Sequence, residues 1–202
     1  MKKILKNTAV LTLITLIAGT LLGLVYEVTK EPIALAKEKA KQEAYMSVVE
    51  DADSFEDYKD FDADKAEVLL SDAGLTGCDI VEAAIAKKDG KEIGAVVTVV
   101  DHEGYGGDIK ISVGILSDGT VKGIEMLEIS ETAGLGMKST EPEFKNQFKD
   151  KNVEKFVYTK SGASADNEID ALSGATITTN AVTNGVNAAL TYFAGEIGGS
   201  VR

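Results

Sequence analysis

Between Lys6 and Glu27 the chain carries no charge. The interval Asn7–Tyr26 is built almost wholly from Leu, Ile, Val, Ala, Gly and Thr. Coiled as a helix at about 1.5 Å per residue, it crosses the ~30 Å hydrocarbon core of a bilayer. Its threonines are compatible with that medium, because their hydroxyls can bond back to the preceding turn. Lys2, Lys3 and Lys6 stand before it with no acid among them. The positive-inside bias therefore predicts a cytoplasmic N-terminus, with Tyr26 at the far interface. A cleaved signal peptide is the competing reading, since Ala34-Leu-Ala36 looks like a cleavage box. The apolar run is longer than a signal core, however, and Glu27, Lys30, Glu31 and Pro32 separate it from that box. A retained anchor is expected, followed by one extracytoplasmic domain.

Composition narrows the function classes. The 202 residues carry a net charge of −12, which argues against a nucleic-acid partner, because phosphate contacts need clustered Lys and Arg. Cys78 and His102 are the only cysteine and histidine. An intramolecular disulfide, a cysteine-held iron–sulfur cluster and a multi-histidine metal site are excluded within one chain. Both residues read as packing or surface chemistry, and no metal site is expected. Any redox chemistry must come from a cofactor of another kind.

The domain reads as α+β. Pro32 begins a predicted helix, followed by an acidic stretch from Asp51 to Asp64 that Phe55, Tyr58 and Phe61 anchor. Two hairpins follow. Ile80–Lys87 and Ile93–Val100 flank Asp89-Gly90, and Ile109–Leu116 and Val121–Leu127 flank Asp118-Gly119. Thr140, Pro142 and Glu143 form the pattern of a helix start with a capping box. Phe156–Thr159 is a short strand candidate. After Asp170-Ala-Leu-Ser-Gly-Ala-Thr176, the residues Val182, Val186, Ala189, Leu190 and Phe193 recur at helix-face spacing. The stretch Ser173–Thr179 thus sits at a helix N-terminus, where free N–H groups and the helix dipole favour a phosphate. Gly174 lets the backbone approach an anion closely, and Thr176 offers a hydroxyl at the same place. The simpler alternative is an ordinary hydroxylated cap. Gly104-Tyr-Gly-Gly-Asp108 reads as a tight, backbone-exposed loop, and the glycines of Glu131-Thr-Ala-Gly-Leu-Gly136 bring backbone and Leu135 close to a flat ligand.

The 170–176 stretch resembles the flavinylation motif of the FMN-binding domain in the G subunit of the Rnf complex and the C subunit of the sodium-pumping NADH:quinone reductase. The family pattern is Asp-x-x-Ser/Thr-Gly-Ala-Thr, and Asp170, Ser173, Gly174, Ala175 and Thr176 meet it. The Gly-Tyr-Gly-Gly loop is also a family element, although Asp108 stands where proline usually follows. The second loop departs from Glu-Thr-Pro-Gly-Leu-Gly only at Ala133. The resemblance covers essentially the whole chain, and its compact length favours the G subunit.

The resemblance implies a transmembrane anchor followed by an FMN-binding domain, with an antiparallel sheet packed by helices. In the family the last threonine carries FMN through a phosphoester that a separate flavin transferase installs, so Thr176 is the expected attachment residue. Asp170, Ser173, Gly174, Ala175 and Thr178 are grouped with it. Glu131, Thr132, Gly134, Leu135 and Gly136 are expected at the ring, and Lys160 is a family lysine whose charge would favour a reduced, anionic flavin. The implied division is 1–29 (cytoplasmic N-terminus and anchor), 30–75 (juxtamembrane helix and connector) and 76–202 (the flavin domain). The implied role is electron relay, without independent catalysis, in a cytoplasmic-membrane complex coupling ferredoxin and NAD⁺ to Na⁺ or H⁺ translocation. The A, D and E membrane subunits and the B and C peripheral subunits of that complex would be its partners. The alternatives are the quinone-reductase C subunit and a membrane-tethered scaffold with a bare threonine. A Ser173 or Thr176 hydrolase is disfavoured, because no base stands ready.

Overall fold

The computed structural model describes residues 1–198. The chain divides into two compact units, Met1–Lys41 and Gln42–Arg202. Helix α1 runs Lys2–Val48. Within the first unit it contains an 18-residue window of mean hydropathy 2.2, none of it buried by protein. Thr20 and Thr29 donate their hydroxyls to Leu16 O and Val25 O, each at 2.8 Å. Pro32 does not begin a separate helix; it lies inside α1. A proline removes one backbone donor, and the good helix formers on either side carry the helix through.

The second unit is built on a five-stranded antiparallel meander in chain order. Its strands are β1 (Ser54–Asp57), β2 (Cys78–Lys88), β3 (Lys91–Asp101), β4 (Ile109–Leu116) and β5 (Val121–Glu128). Both expected hairpins form. Asp89 and Gly90 both have positive φ, the conformation that a two-residue turn needs to match strand twist. The acidic 51–64 stretch is more ordered than expected. It contributes β1, paired with β2 from Ser54↔Lys87 to Asp57↔Ala84, and leads into α2 (Ala63–Asp72). Asp62 caps α2 by accepting from Asp64 N and Lys65 N. The three aromatics do anchor the stretch: Phe55 meets Tyr45, Phe61 meets Tyr192, and Tyr58 Oη donates to Glu196 O at 3.0 Å.

Strand alternation makes the sheet two-faced. Ile111, Val113 and Ile115 of β4 stand opposite Val99, Val97 and Ala95 of β3, on the face covered by α4 (Thr176–Tyr192). Ala84, Ala86 and Val96 point to the other face, where Tyr45, Val48 and Val49 pack. After β5 the chain makes a 3-10 turn (Gly136–Thr140) and the short helix α3 (Pro142–Lys145). The expected capping box is absent. The 3-10 turn takes the Thr140 hydroxyl, which donates to Met137 O at 2.8 Å, and Glu141 occupies the cap position without a side-chain bond.

Phe144, Phe148 and Phe156 stack edge-on with centroids 5.7 and 5.1 Å apart. The side chain of Asn187, on α4, accepts from Phe156 N at 2.8 Å and donates to Phe156 O at 2.9 Å. This clamp ties the segment to the helix. Strand β6 (Val157–Thr159) then pairs in parallel with β7 (Glu168–Asp170), which delivers the chain to the start of α4.

Candidate functional site

The three glycine-containing stretches meet in space. A cleft of about 490 Å³ is lined by Tyr105, by Glu131, Thr132, Leu135 and Gly136, and by the run from Gly174 to Thr178. Small-molecule sites are typically about 300–1,000 Å³. Tyr105, Ile177 and Leu135 are 69%, 53% and 42% exposed, so three large apolar side chains stand in water around one cleft. That arrangement suits a flat apolar ligand.

The cleft floor is the start of α4. Its N-cap is Ala175, which has no side-chain oxygen to offer. The helix's first bond runs from Thr179 N to Ala175 O at 3.0 Å. The N–H groups of Thr176, Ile177 and Thr178 therefore have no acceptor within the helix, and the positive end of the dipole lies against the cleft. Neighbouring hydroxyls are committed. Thr178 Oγ1 donates to Glu131 Oε2 at 3.0 Å, and Thr179 Oγ1 donates to Ala175 O and accepts from Leu172 N, both at 3.0 Å. Thr176, half-buried, has no hydrogen-bond partner for its hydroxyl among the described residues.

Glu131 joins the three stretches. It is 9% exposed. Its Oε1 accepts from Gly106 N at 3.1 Å, while Oε2 takes the Thr178 hydroxyl. Only glycine fits at position 136, because a Cβ there would lie 2.5 Å from Glu131 Oε2 and 2.6 Å from Thr178 Oγ1. At Gly174, φ is +75°, a conformation an L side chain rarely adopts, and Leu135 lies against its open face.

Other expected residues lie apart from this cleft. Asp170 and Ser173 line a smaller one of about 220 Å³, with Lys138, Glu141 and Gln147. Asp170 Oδ1 accepts from Ala163 N at 2.6 Å, which orders the loop after β6. Lys160, at the start of that loop, is exposed and lines neither cleft. Gly134 holds φ +76° in the turn that presents Leu135. Tyr105 and Ile177 line the cleft although sequence reasoning did not select them. The signal was present for Tyr105, an aromatic enclosed by glycines with no core to enter.

His102 braces the Gly104–Asp108 loop. Its Nδ1 lies 2.9 Å from Asp108 Oδ1 and its Nε2 lies 3.0 Å from Asp79 Oδ2. Both ring nitrogens face carboxylates, and hydrogen bonding to Asp108, then Asp79, raises the imidazole pKa. The bracing is therefore fully present below the unfolded value of about 6.5 and is lost as pH rises through the higher folded value. Proton NMR is expected to place the His102 pKa above that of a free histidine. Amide exchange at Tyr105 and Gly106, corrected for its intrinsic pH dependence, should quicken across the same transition. A His102→Gln variant should show no such step. Nearby Cys78 is buried, and burial pushes its thiol pKa up; it donates to Asp101 Oδ2 at 3.1 Å.

Comparison with known proteins fits this geometry. The family model described as FMN-binding domain matches residues 104–191, the stretch that holds every cleft element, and the RnfG N-terminal region matches residues 1–48. The G subunit of the Na(+)-translocating ferredoxin:NAD(+) oxidoreductase complex of Acetobacterium woodii is 30% identical, covering 95% of this chain and 92% of its own. The G subunit of the ion-translocating oxidoreductase complex of Methanosarcina acetivorans is 32% identical, covering 98% of each. The chain belongs to the RnfG family. The G subunit of the proton-translocating ferredoxin:NAD(+) oxidoreductase complex of Clostridium ljungdahlii is 34% identical, covering 89% of this chain and 86% of its own. RnfG relatives of similar likeness are thus named for different ions. Among solved structures, Shewanella oneidensis NqrC is 25% identical over 56% of this chain and 57% of its own, with a TM-score of 0.47.

Proposed function

We propose that this chain is the membrane-anchored, FMN-carrying electron-transfer subunit of a ferredoxin:NAD⁺ oxidoreductase complex coupled to Na⁺ or H⁺ translocation, with FMN esterified to Thr176. The observation that carries the reading is the convergence of all three stretches on one cleft, at whose floor an uncapped helix start presents an unpartnered hydroxyl. The residues fit FMN on both counts. The free N–H groups of Thr176, Ile177 and Thr178 suit its phosphate. Tyr105, Leu135 and Ile177 suit an apolar ring, and Thr132 and the loop amides can meet its heteroatoms.

Thr176 Oγ would hold FMN as a phosphate ester, formed by displacing the other half of a phosphoanhydride flavin donor with loss of the hydroxyl proton. Bound FMN would supply reversible electron uptake and release. The chain's own part is to hold and orient it. Thr176 would prevent loss of the cofactor from an open site, the α4 start would neutralise phosphate charge, and the glycine loops would set the ring's place.

The lysines before the span support a cytoplasmic N-terminus with the second unit on the far side. On this reading residues 1–29 anchor, 30–75 connect and 76–202 carry the flavin, while the A, D and E membrane subunits and the B and C peripheral subunits complete the relay. Mass spectrometry of the peptide containing Asp170–Thr179, from protein made beside the transferase, is expected to show the mass of FMN less one water, fragmenting at Thr176. An unmodified peptide in protein from the native host sinks the assignment.

A further inference from the structure

We propose that Glu131 is the positioning residue of the flavin cleft: it fixes the Tyr105 loop to the start of α4, and its charge makes a flavin held there harder to reduce. The second part rests on the FMN reading above; the first does not.

Glu131 reaches Gly106, 25 positions back, and Thr178, 47 positions ahead. Both bonds use a donor on the partner and an oxygen on Glu131, so a carboxylate serves both ends at once. No lysine or arginine forms an ion pair with it among the described residues. The cleft wall therefore holds a carboxylate that no cationic side chain pairs, at 9% exposure. Added electrons place more negative charge beside it, and a fixed negative group in a poorly solvated wall opposes that. Glu131 touches two donors of the protein itself, so it acts through the shape and field of the cleft. Gly136 marks how tightly the arrangement is built, since even a methyl group there would collide with both partners of the Glu131–Thr178 bond.

Two full-length variants test this. In Glu131→Gln the side-chain carbonyl can still accept from Gly106 N–H, and the amide can donate to Thr178 Oγ1, so the shape is kept and the charge is removed. Glu131→Ala removes the tether. Hydrogen exchange is measured on unloaded protein from a host without flavin transferase. Protection of the Gly106 amide should persist in E131Q and fall at least tenfold in E131A. Should E131A fail to fold, Glu131→Asp, shorter by one methylene, is expected to lose the same protection. Redox titration of loaded E131Q should raise the reduced-to-oxidised ratio at a fixed potential about tenfold, a positive shift of about 30 mV for a two-electron couple. Wild-type exchange at Gly106 in the untethered variant overturns the proposal, as does an unshifted potential in E131Q. If wild-type protein never carries flavin, the functional reading fails, yet the exchange experiment still decides the tether.

Discussion

Thr176→Val is expected to give a folded protein whose denatured band carries no flavin fluorescence, against a bright wild-type band made in the same transferase-containing host. Valine copies the shape and β-branching of threonine and removes only the hydroxyl. That hydroxyl bonds to nothing among the described residues, so its loss should change stability by no more than about 0.5 kcal/mol. The covalent signal should nevertheless fall to background, because no other hydroxyl at the α4 start is unpartnered among the described residues. Thr178 and Thr179 are committed to protein acceptors, and Ser173 lines the smaller cleft. Thr176→Ser should restore fluorescence at least in part. A fluorescent T176V band would move the bond elsewhere, with Thr132 the first residue to test, since it lines the same cleft.

The second large effect is on stability. Phe148→Ala should lower the stability of the second unit by about 3–5 kcal/mol, the usual cost of truncating a buried phenylalanine. Phe148 is fully buried and lies between Phe144 and Phe156, so neither neighbour can close the gap without losing its own contact. At about 2–4 °C per kcal/mol for a unit of this size, the midpoint should drop by roughly 10 °C. Circular dichroism of the detergent-solubilised full chain measures it. The consequence reaches the site, because Phe156 is held to α4 through both of its backbone groups by Asn187. Flavin loading of F148A should fall more steeply with temperature than that of wild type. A midpoint within about 2 °C of wild type would show that the segment packs without the triad.

The sheet was readable before any coordinates, because each hairpin carries its own turn chemistry beside β-branched strands. Asp89-Gly90 and Asp118-Gly119 are local instructions, and both turns formed. Strand β1 was missed because its residues, Ser-Phe-Glu-Asp, have almost no strand character. Its pairing rests on β2 lying beside it, which is tertiary context overriding propensity. The Thr140 capping box failed for a related reason: a hydroxyl has several possible acceptors, and the preceding 3-10 turn presented one first. At the site, motif spacing pointed to Thr176 and the Gly/Leu loop. It could not separate Asp170 and Ser173, which face the smaller cleft, from residues that face the larger one. Nor could it reveal what Glu131 bonds to, since neither of its partners is near it in sequence.

That separation along the chain bears on the order of events in the cell. The bond from Glu131 closes only with a residue 47 positions further on, so a nascent chain emerging N-terminus first cannot complete the cleft until the start of α4 has been synthesised. On the proposed reading, a polypeptide halted before Thr176 would lack the hydroxyl that takes the flavin. Colour on this protein would then serve as a certificate that translation had run past the helix start and that the domain had closed.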